Sequence, residues 1–240
     1  MLKALADSLL TLAYPQTCRL CNDSVEDHSD GVSCSDCWNN TRIFNGTEWL
    51  CYKCGAYLGE ASKADETFCQ KCRDHYYDIA RAVGIYEKAL AASVVSLKKE
   101  SYISARLRSQ FVAAMQSPLF AQASVIMPVP LSRKRFHERG FNQAELLAAT
   151  AANAKGIALD KASLVRNIHT PMHRAAMDPK AREKTVENAF EVARPRLVDG
   201  ESILLVDDVL TSGSTASACA KVLKQSGALW VGVLTLARAV

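Results

Sequence analysis

Ile203-Leu-Leu-Val-Asp-Asp-Val-Leu-Thr-Ser-Gly-Ser-Thr215 is the stretch that decides the fold. Ile203–Val206 is an unbroken aliphatic run, the pattern of a strand buried on both faces of a parallel sheet. Asp207 and Asp208 follow and would be delivered to the C-terminal end of that strand, where open α/β sheets bind ligands. Adjacent carboxylates can accept hydrogen bonds from vicinal hydroxyls such as a ribose 2′ and 3′. Thr211, Ser212, Gly213, Ser214 and Thr215 then offer backbone N–H groups and side-chain hydroxyls at the start of a helix over Ser214–Gln225, with Gly227 placed to end it. Donors converging on the positive end of a helix dipole suit a dianionic phosphate. Gly213 allows close approach or positive φ. Carboxylates and loop are spaced as the two ends of one ribose 5-phosphate. The plainer alternative is a strand-turn-helix whose Asp pair merely caps something; the hydroxyl-rich tail that follows at once argues against it.

Outward from this segment, strands and helices alternate. Ala82–Tyr86, Ser124–Val129 and Trp230–Leu236 read as strands. Ala89–Lys99, Ser104–Gln116 and Asn142–Ala154 read as helices, the last opening on Asn142 as N-cap. This order predicts an α/β domain with a mostly parallel sheet and helices on both faces. Leu159–Val198 is less regular and rich in Arg, Lys and His, so a long excursion is expected there, a hairpin or a lid.

Ser132-Arg-Lys-Arg-Phe-His-Glu-Arg-Gly-Phe141 packs Arg133, Lys134, Arg135 and Arg139 into one short stretch just after a strand end. It should therefore share an edge with the phosphate loop. Arg133, Arg135 and Arg139 can give pyrophosphate bidentate contacts. Phe136 and Phe141 between them also suit stacking on single-stranded bases. A solvated surface loop is the third reading. Lys98 and Lys99 can extend a basic face, although alone they read as a solvated helix end.

Eight of the nine cysteines lie between Cys18 and Cys72 as Cys-x-x-Cys pairs: Cys18/Cys21, Cys34/Cys37, Cys51/Cys54 and Cys69/Cys72. Each pair forms a knuckle that presents two thiolates, and two knuckles complete a tetrahedral site for structural Zn²⁺. Sequential pairing, Cys18, Cys21, Cys34 and Cys37 on one ion and Cys51, Cys54, Cys69 and Cys72 on the other, is favoured over interleaved pairing because it closes shorter loops. A closed four-cysteine site leaves no open position for catalysis. Its work is folding, since this segment has few aliphatics from which to build a core. His28, His75, His137 and His169 lack ligand-like spacing and read as surface residues. Cys219, in step with Ala216, Val222 and Leu223, reads as a small core residue.

Length allows one well-cored domain plus a small module in 240 residues. Composition shifts near residue 78, giving expected domains at 1–77 and 78–240. The 49% hydrophobic and 22% charged content is that of a globular protein, and a net charge of +4 argues nothing for nucleic acid without a local patch. Leu2, Leu5, Leu9 and Leu12 step as a short amphipathic helix. Asp7 and the lack of a clear cleavage site argue against a signal peptide. No run is long enough to span a bilayer, so no membrane insertion is expected. Reduced thiols and no export signal point to the cytoplasm.

The quoted Ile203–Thr215 segment resembles the signature of type I phosphoribosyltransferases. The cysteine module, then Pro128-Val-Pro130-Leu, Arg135 and Arg139-Gly-Phe-Asn-Gln143, then that signature, look like the ComF family over nearly the full chain. The resemblance implies a phosphoribosyltransferase-like protein of natural competence with an N-terminal double zinc ribbon. Asp207 and Asp208 would hold ribose hydroxyls of phosphoribosyl pyrophosphate, and Thr211–Thr215 its 5′-phosphate. Mg²⁺ would ride on pyrophosphate and ribose oxygens, and Pro128–Arg135 would be the pyrophosphate loop. The chain departs from the family pattern at Thr170-Pro-Met-His173 and Arg182-Glu-Lys-Thr185, which puts roles for His173 and Thr185 in doubt and leaves Thr170 and Arg182. Pentosyl transfer is the first functional reading, with Arg166–Arg182 closing as a lid, no catalytic residue assigned and no base pocket recognised. A non-catalytic ligand sensor or single-stranded DNA binder, with competence proteins as partners, is the second. A transcriptional regulator ranks last, for want of a helix-turn-helix signature.

Overall fold

A computed structural model describes residues 15–60, 67–167 and 189–239. The predicted helix at Leu2–Leu12, and Thr170, His173, Arg182 and Thr185, lie outside them. In the N-terminal region, α1 (Ser35–Asn39) follows Cys34, and β1 (Glu48–Leu50) pairs antiparallel with β2 (Tyr57–Glu60). Then come β3 (Ile79–Ile85), α2 (Lys88–Leu97), α3 (Ala105–Met115), β4 (Val125–Pro128), α4 (Arg133–Arg139), α5 (Gln143–Lys155) and β5 (Ala158–Leu159). The hairpin strands β6 (Leu164–Arg166) and β7 (Phe190–Val192) precede β8 (Ser202–Leu210), α6 (Ser214–Gln225) and β9 (Trp230–Arg238).

Among the described residues, β3-β9-β8-β4-β5 form one wholly parallel sheet. Helix α5 starts where the sequence places it: the Asn142 side chain accepts from the Ala144 N–H at 3.1 Å while donating to the Val129 carbonyl at 3.1 Å. Ser104 caps α3 by accepting from Leu107 N–H. The basic stretch after β4, read as a loop, contains the short helix α4. Ser132 accepts from the Arg135 N–H to start it, and Gly140 at φ 77° ends it. Two local caps suffice here because the residues between them tolerate helix well.

Both faces of the sheet are covered. Leu204, Val206, Leu234 and Leu236 pack against Leu90 and Val94 of α2, Phe111 of α3 and Leu147 of α5. On the other face Ile203, Leu205, Val231 and Val233 pack against Cys219 and Leu223 of α6, Phe190 of β7, and Cys51, Cys54 and Cys72. Strict alternation along β8 and β9 divides these residues between two cores.

The N-terminal region also shields the sheet's edge. Phe44 N–H donates to the Val83 carbonyl at 2.8 Å and Ile85 N–H to the Arg42 carbonyl at 3.0 Å, with Ile43 bridging Gly84 antiparallel. This pairing blunts an edge that would otherwise invite other chains. The same region grips α3: Arg106 donates to both carboxylate oxygens of buried Asp30 at 3.0 Å, and its guanidinium stacks over Trp38 at 5.3 Å. Gly84 is required at the crossing, because a β-carbon there would overlap the Arg42 carbonyl oxygen. Gly84→Ala is therefore expected to destabilise the chain by about 1–3 kcal/mol, as overpacking does. Denaturant unfolding followed by tryptophan fluorescence measures it, and an unchanged midpoint would refute the crossing.

Candidate functional site

Strand β8 runs further than the aliphatic stretch that announces it, and Asp207 pairs with Thr235 inside the ladder. Successive strand residues face different sides, but near the end of β8 the two carboxyl groups remain within reach of each other. Asp208 lies on the side of α2 and α5. One of its oxygens accepts from the Gln143 amide at 3.2 Å and meets the Lys98 ammonium at 3.1 Å. Arg139 donates to the Gln143 amide oxygen at 2.9 Å, which fixes the amide so that its NH₂ points at Asp208. Asp207 lies on the other side, toward Cys219 and Arg166, and its carboxylate accepts the Asp208 N–H at 2.8 Å. Burial pushes the Asp207 carboxyl well above the ordinary carboxylate range, and the Asp208 charge pushes the same way. The accepted N–H and Lys98 oppose them.

Beyond Leu210 the chain turns through Thr211 and Ser212, both exposed, to buried Gly213 at φ 86°, the N-cap of α6. Gly213 offers no side chain to cap this helix, and the Ser212 hydroxyl accepts only the Ser214 N–H, at 3.3 Å, so the turn faces the positive end of the helix dipole. The Ser212 and Ser214 hydroxyls sit 2.8 Å apart across the same opening. The loop is held from below by Arg238 of β9. Its guanidinium donates to the Leu210 carbonyl at 2.7 Å and also to the Thr211 carbonyl.

The basic residues divide. Arg133 is exposed beside Phe136, His137 and Glu145. Arg135 faces Arg166, whose guanidinium pKa is lowered by burial and by the Arg135 charge. Arg166 also stacks over Phe190 at 5.1 Å. Arg139 is engaged with Gln143. Lys98 and Gln143 are site residues without an assigned role in the sequence reading. So is Arg238, for which no local pattern gives a signal. His75, read as a surface residue, is instead half-buried, its Nδ1 2.6 Å from the Tyr77 hydroxyl. Burial, then the Lys53 and Arg238 charges, lower its pKa, with Asp74 opposing.

The thiols of Cys18, Cys21, Cys34 and Cys37 converge, as do those of Cys51, Cys54, Cys69 and Cys72, each set within 4.8 Å. Pairing is sequential. Sulfur–sulfur separations are 3.5 Å for Cys21–Cys34, 3.7 Å for Cys18–Cys37, 3.5 Å for Cys54–Cys69 and 3.6 Å for Cys51–Cys72. A tetrahedron with metal–sulfur bonds of about 2.3 Å has edges of about 3.8 Å, so both sets fit structural Zn²⁺. The first set belongs to a small cluster of its own with Val25, whereas Cys51, Cys54 and Cys72 lie in a core of the sheet.

Residues 9–73 match the family model of a double zinc ribbon domain. The chain is thus an α/β protein with a double zinc ribbon at its N-terminus, joined to a parallel sheet whose β8 leads into the Asp-Asp and Thr-Ser-Gly-Ser-Thr segment. The DNA utilization protein YhgH of Salmonella typhi is 32% identical over 240 residues, covering 95% of this chain and 99% of the relative. Competence protein F of Haemophilus influenzae is 26% identical, covering 92% and 96%. Competence protein ComFC of Bacillus subtilis is 24% identical, covering 84% and 89%. The chain belongs to the ComF family. The glutamine phosphoribosylpyrophosphate amidotransferase of B. subtilis superposes on 55% of this chain and 27% of its own, at 20% identity and a TM-score of 0.36.

The metal sites yield a direct expectation. Elemental analysis should find two zinc ions per chain, and Cys34→Ser should retain one. Cys54→Ser, whose thiol lies in a sheet core, should lower the unfolding midpoint more than Cys34→Ser does, by at least about 4 °C. Equal losses would contradict the different placement of the two sites.

Proposed function

We propose that the chain binds phosphoribosyl pyrophosphate across the C-terminal edge of β8. The observation that carries this reading is the hydroxyl-lined start of α6 at the left-handed Gly213, directly after a strand bearing two carboxylates. The 5′-phosphate takes the N–H groups and hydroxyls of Thr211–Thr215. The ribose hydroxyls take Asp207 and Asp208, the latter oriented by Lys98 and Gln143. Mg²⁺ bound with the ligand neutralises pyrophosphate oxygens, and Arg135 and Arg166 supply further positive charge on the Asp207 side. Displacement of pyrophosphate from C1′ passes through an oxocarbenium-like state, so the protein's task is to position the sugar and balance charge, without a covalent nucleophile. The names of the relatives favour a role in competence and DNA handling. No helix among the described residues is long and apolar enough to cross a membrane, and thiols that serve as metal ligands suit the reducing cytoplasm.

Calorimetry with phosphoribosyl pyrophosphate and Mg²⁺ tests the site. Asp207→Asn and Asp208→Asn should each weaken binding about 10- to 100-fold, the loss of a charge-assisted hydrogen bond. Equal heats in all three proteins would remove the carboxylates from the site. Pyrophosphate release with a nucleobase panel tests transfer; no release with any acceptor would leave a binding protein.

One observation favours a second reading, a single-stranded DNA binder. A cavity of about 220 Å³ lies between the second cysteine site and α6, lined by Lys71, His75, Tyr76, Ser214, Ser217 and Lys221. Tyr76 is 48% exposed there with the Lys221 ammonium 5.5 Å from its ring centroid and Asp74 also in the lining, an aromatic side chain beside cations of the kind that single-stranded nucleic acid uses. Labelled single-stranded DNA should bind with a salt-dependent affinity, and Tyr76→Ala should weaken it about tenfold or more. No binding at low salt would dismiss this reading.

A further inference from the structure

The second cysteine site reaches the phosphate loop through an unbroken series of contacts. His75 hangs between its two knuckles: the His75 N–H donates to the Cys72 carbonyl at 3.2 Å, and Lys53, inside the Cys51/Cys54 knuckle, donates to the His75 carbonyl at 2.7 Å. The His75 ring meets the Tyr77 hydroxyl at 2.6 Å. Together these two side chains close against Gly213. A β-carbon on Gly213 would stand 2.7 Å from His75 Cε1 and 2.9 Å from the Tyr77 oxygen. Tyr76 N–H donates to Ser217 Oγ in the first turn of α6 at 3.1 Å. From below, Arg238 joins the Leu210 and Thr211 carbonyls to the Cys54 sulfur, 4.0 Å from its guanidinium. The first cysteine site has no comparable link in the described residues. It contacts α3 through Asp30 and Trp38, on the far face of the sheet.

We infer that His75, Tyr77 and Arg238 are positioning residues of the phosphate loop, and that through them the second cysteine site, not the first, sets the affinity for a ribose 5-phosphate end. This rests on the ribose-phosphate reading above. The physical reason is geometric. A helix N-terminus binds phosphate well only if its N–H groups are already aimed. The left-handed turn at Gly213 is fixed here by side chains from a segment too poor in aliphatics to hold its shape without metal. Coupling of two sites is reciprocal, so ribose 5-phosphate must in turn tighten zinc at the second site by the same factor.

The experiment uses the zinc-loaded full chain and ribose 5-phosphate as probe. Zinc partition to a chromogenic chelator at equilibrium is measured with and without the probe, and probe affinity is measured by calorimetry. Saturating probe should raise the affinity for one of the two zinc equivalents several-fold, by the same factor that the second zinc raises probe affinity. Cys21→Ser, which keeps the second site, should still show the gain, and Cys69→Ser should not. Tyr77→Phe and Arg238→Lys keep all eight thiols and are expected to retain both zinc ions. They should weaken the probe about 5- to 10-fold and about 10- to 100-fold respectively, for the loss of one neutral hydrogen bond and of a forked charged donor. A wild-type chain that gives no heat with the probe overturns the ribose-phosphate reading and this inference with it. If the wild type binds but the zinc partition is unchanged by the probe, or if Tyr77→Phe and Arg238→Lys bind as tightly as it does, the inference alone is overturned. Cys69→Ser failing to fold leaves those two variants and the partition assay to decide.

Discussion

Two neighbouring carboxylates in a strand hydrogen-bonded on both sides are costly, because a buried charge needs either a partner or a proton. β8 carries this cost at Asp207 and Asp208, and much of the surrounding structure answers to it. Alternation turns the two side chains toward different faces, yet the carboxylates stay close enough to feel each other, and Lys98 acts on both. The α2–α5 face supplies Lys98 and Gln143 to Asp208, with Arg139 orienting the amide. The β6–β7 face sets Arg166 near Asp207, together with Arg135 from α4. Asp207 remains the less satisfied of the pair, as its upward-shifted carboxyl records. A strand that needs cations on both faces near one end gathers the elements that also suit an anionic, hydroxyl-bearing ligand there.

The N-terminal region is two devices in series. Its first half covers the exposed side of β3 and clamps α3 through the buried Asp30–Arg106 pair. Its second half enters a sheet core: Cys51, Cys54, Cys72 and Tyr77 are each 1% exposed or less and share a cluster with Leu210, Ala216 and Cys219. A metal-held segment used as core explains how so small a body of aliphatics can support the loop side of the sheet.

What the sequence made legible follows range of interaction. Local signals are strong: the aliphatic run of β8, the Asn142 cap, the Cys-x-x-Cys spacing and its sequential pairing, and the glycine that opens α6. Each depends on residues close in the chain. The helix in the basic stretch after β4 is harder to read, because a run of charges carries no apolar period and only Ser132 and Gly140 mark its ends. Lys98, Arg166, Arg238 and His75 were harder for a different reason. Each meets its partner across the fold, as when Arg238 approaches Cys54 from the far end of the chain, and nothing in its immediate neighbours announces this. A lysine at a helix end or a histidine after a knuckle looks like surface until the sheet brings a carboxylate or a glycine to it.

Arg238 also resolves an electrostatic conflict. Four thiolates around one divalent ion leave a net negative charge, and the second site lies just below a loop with the form of an anion receptor. Unscreened, that charge would oppose phosphate binding across a poorly solvated core. The guanidinium of Arg238 is only 8% exposed and stands between the Cys54 sulfur and the Leu210 and Thr211 carbonyls. It offsets the thiolates on one side. On the other it draws carbonyl oxygens down and away from the opening, which leaves N–H groups as the polar groups facing outward. Arg81 and Lys53 meet the same thiolate cluster from its flank, with Arg81 donating to the Tyr52 carbonyl at 2.9 Å. The cationic lining of the second cysteine site is therefore what allows a metal centre and an anion loop to share one core.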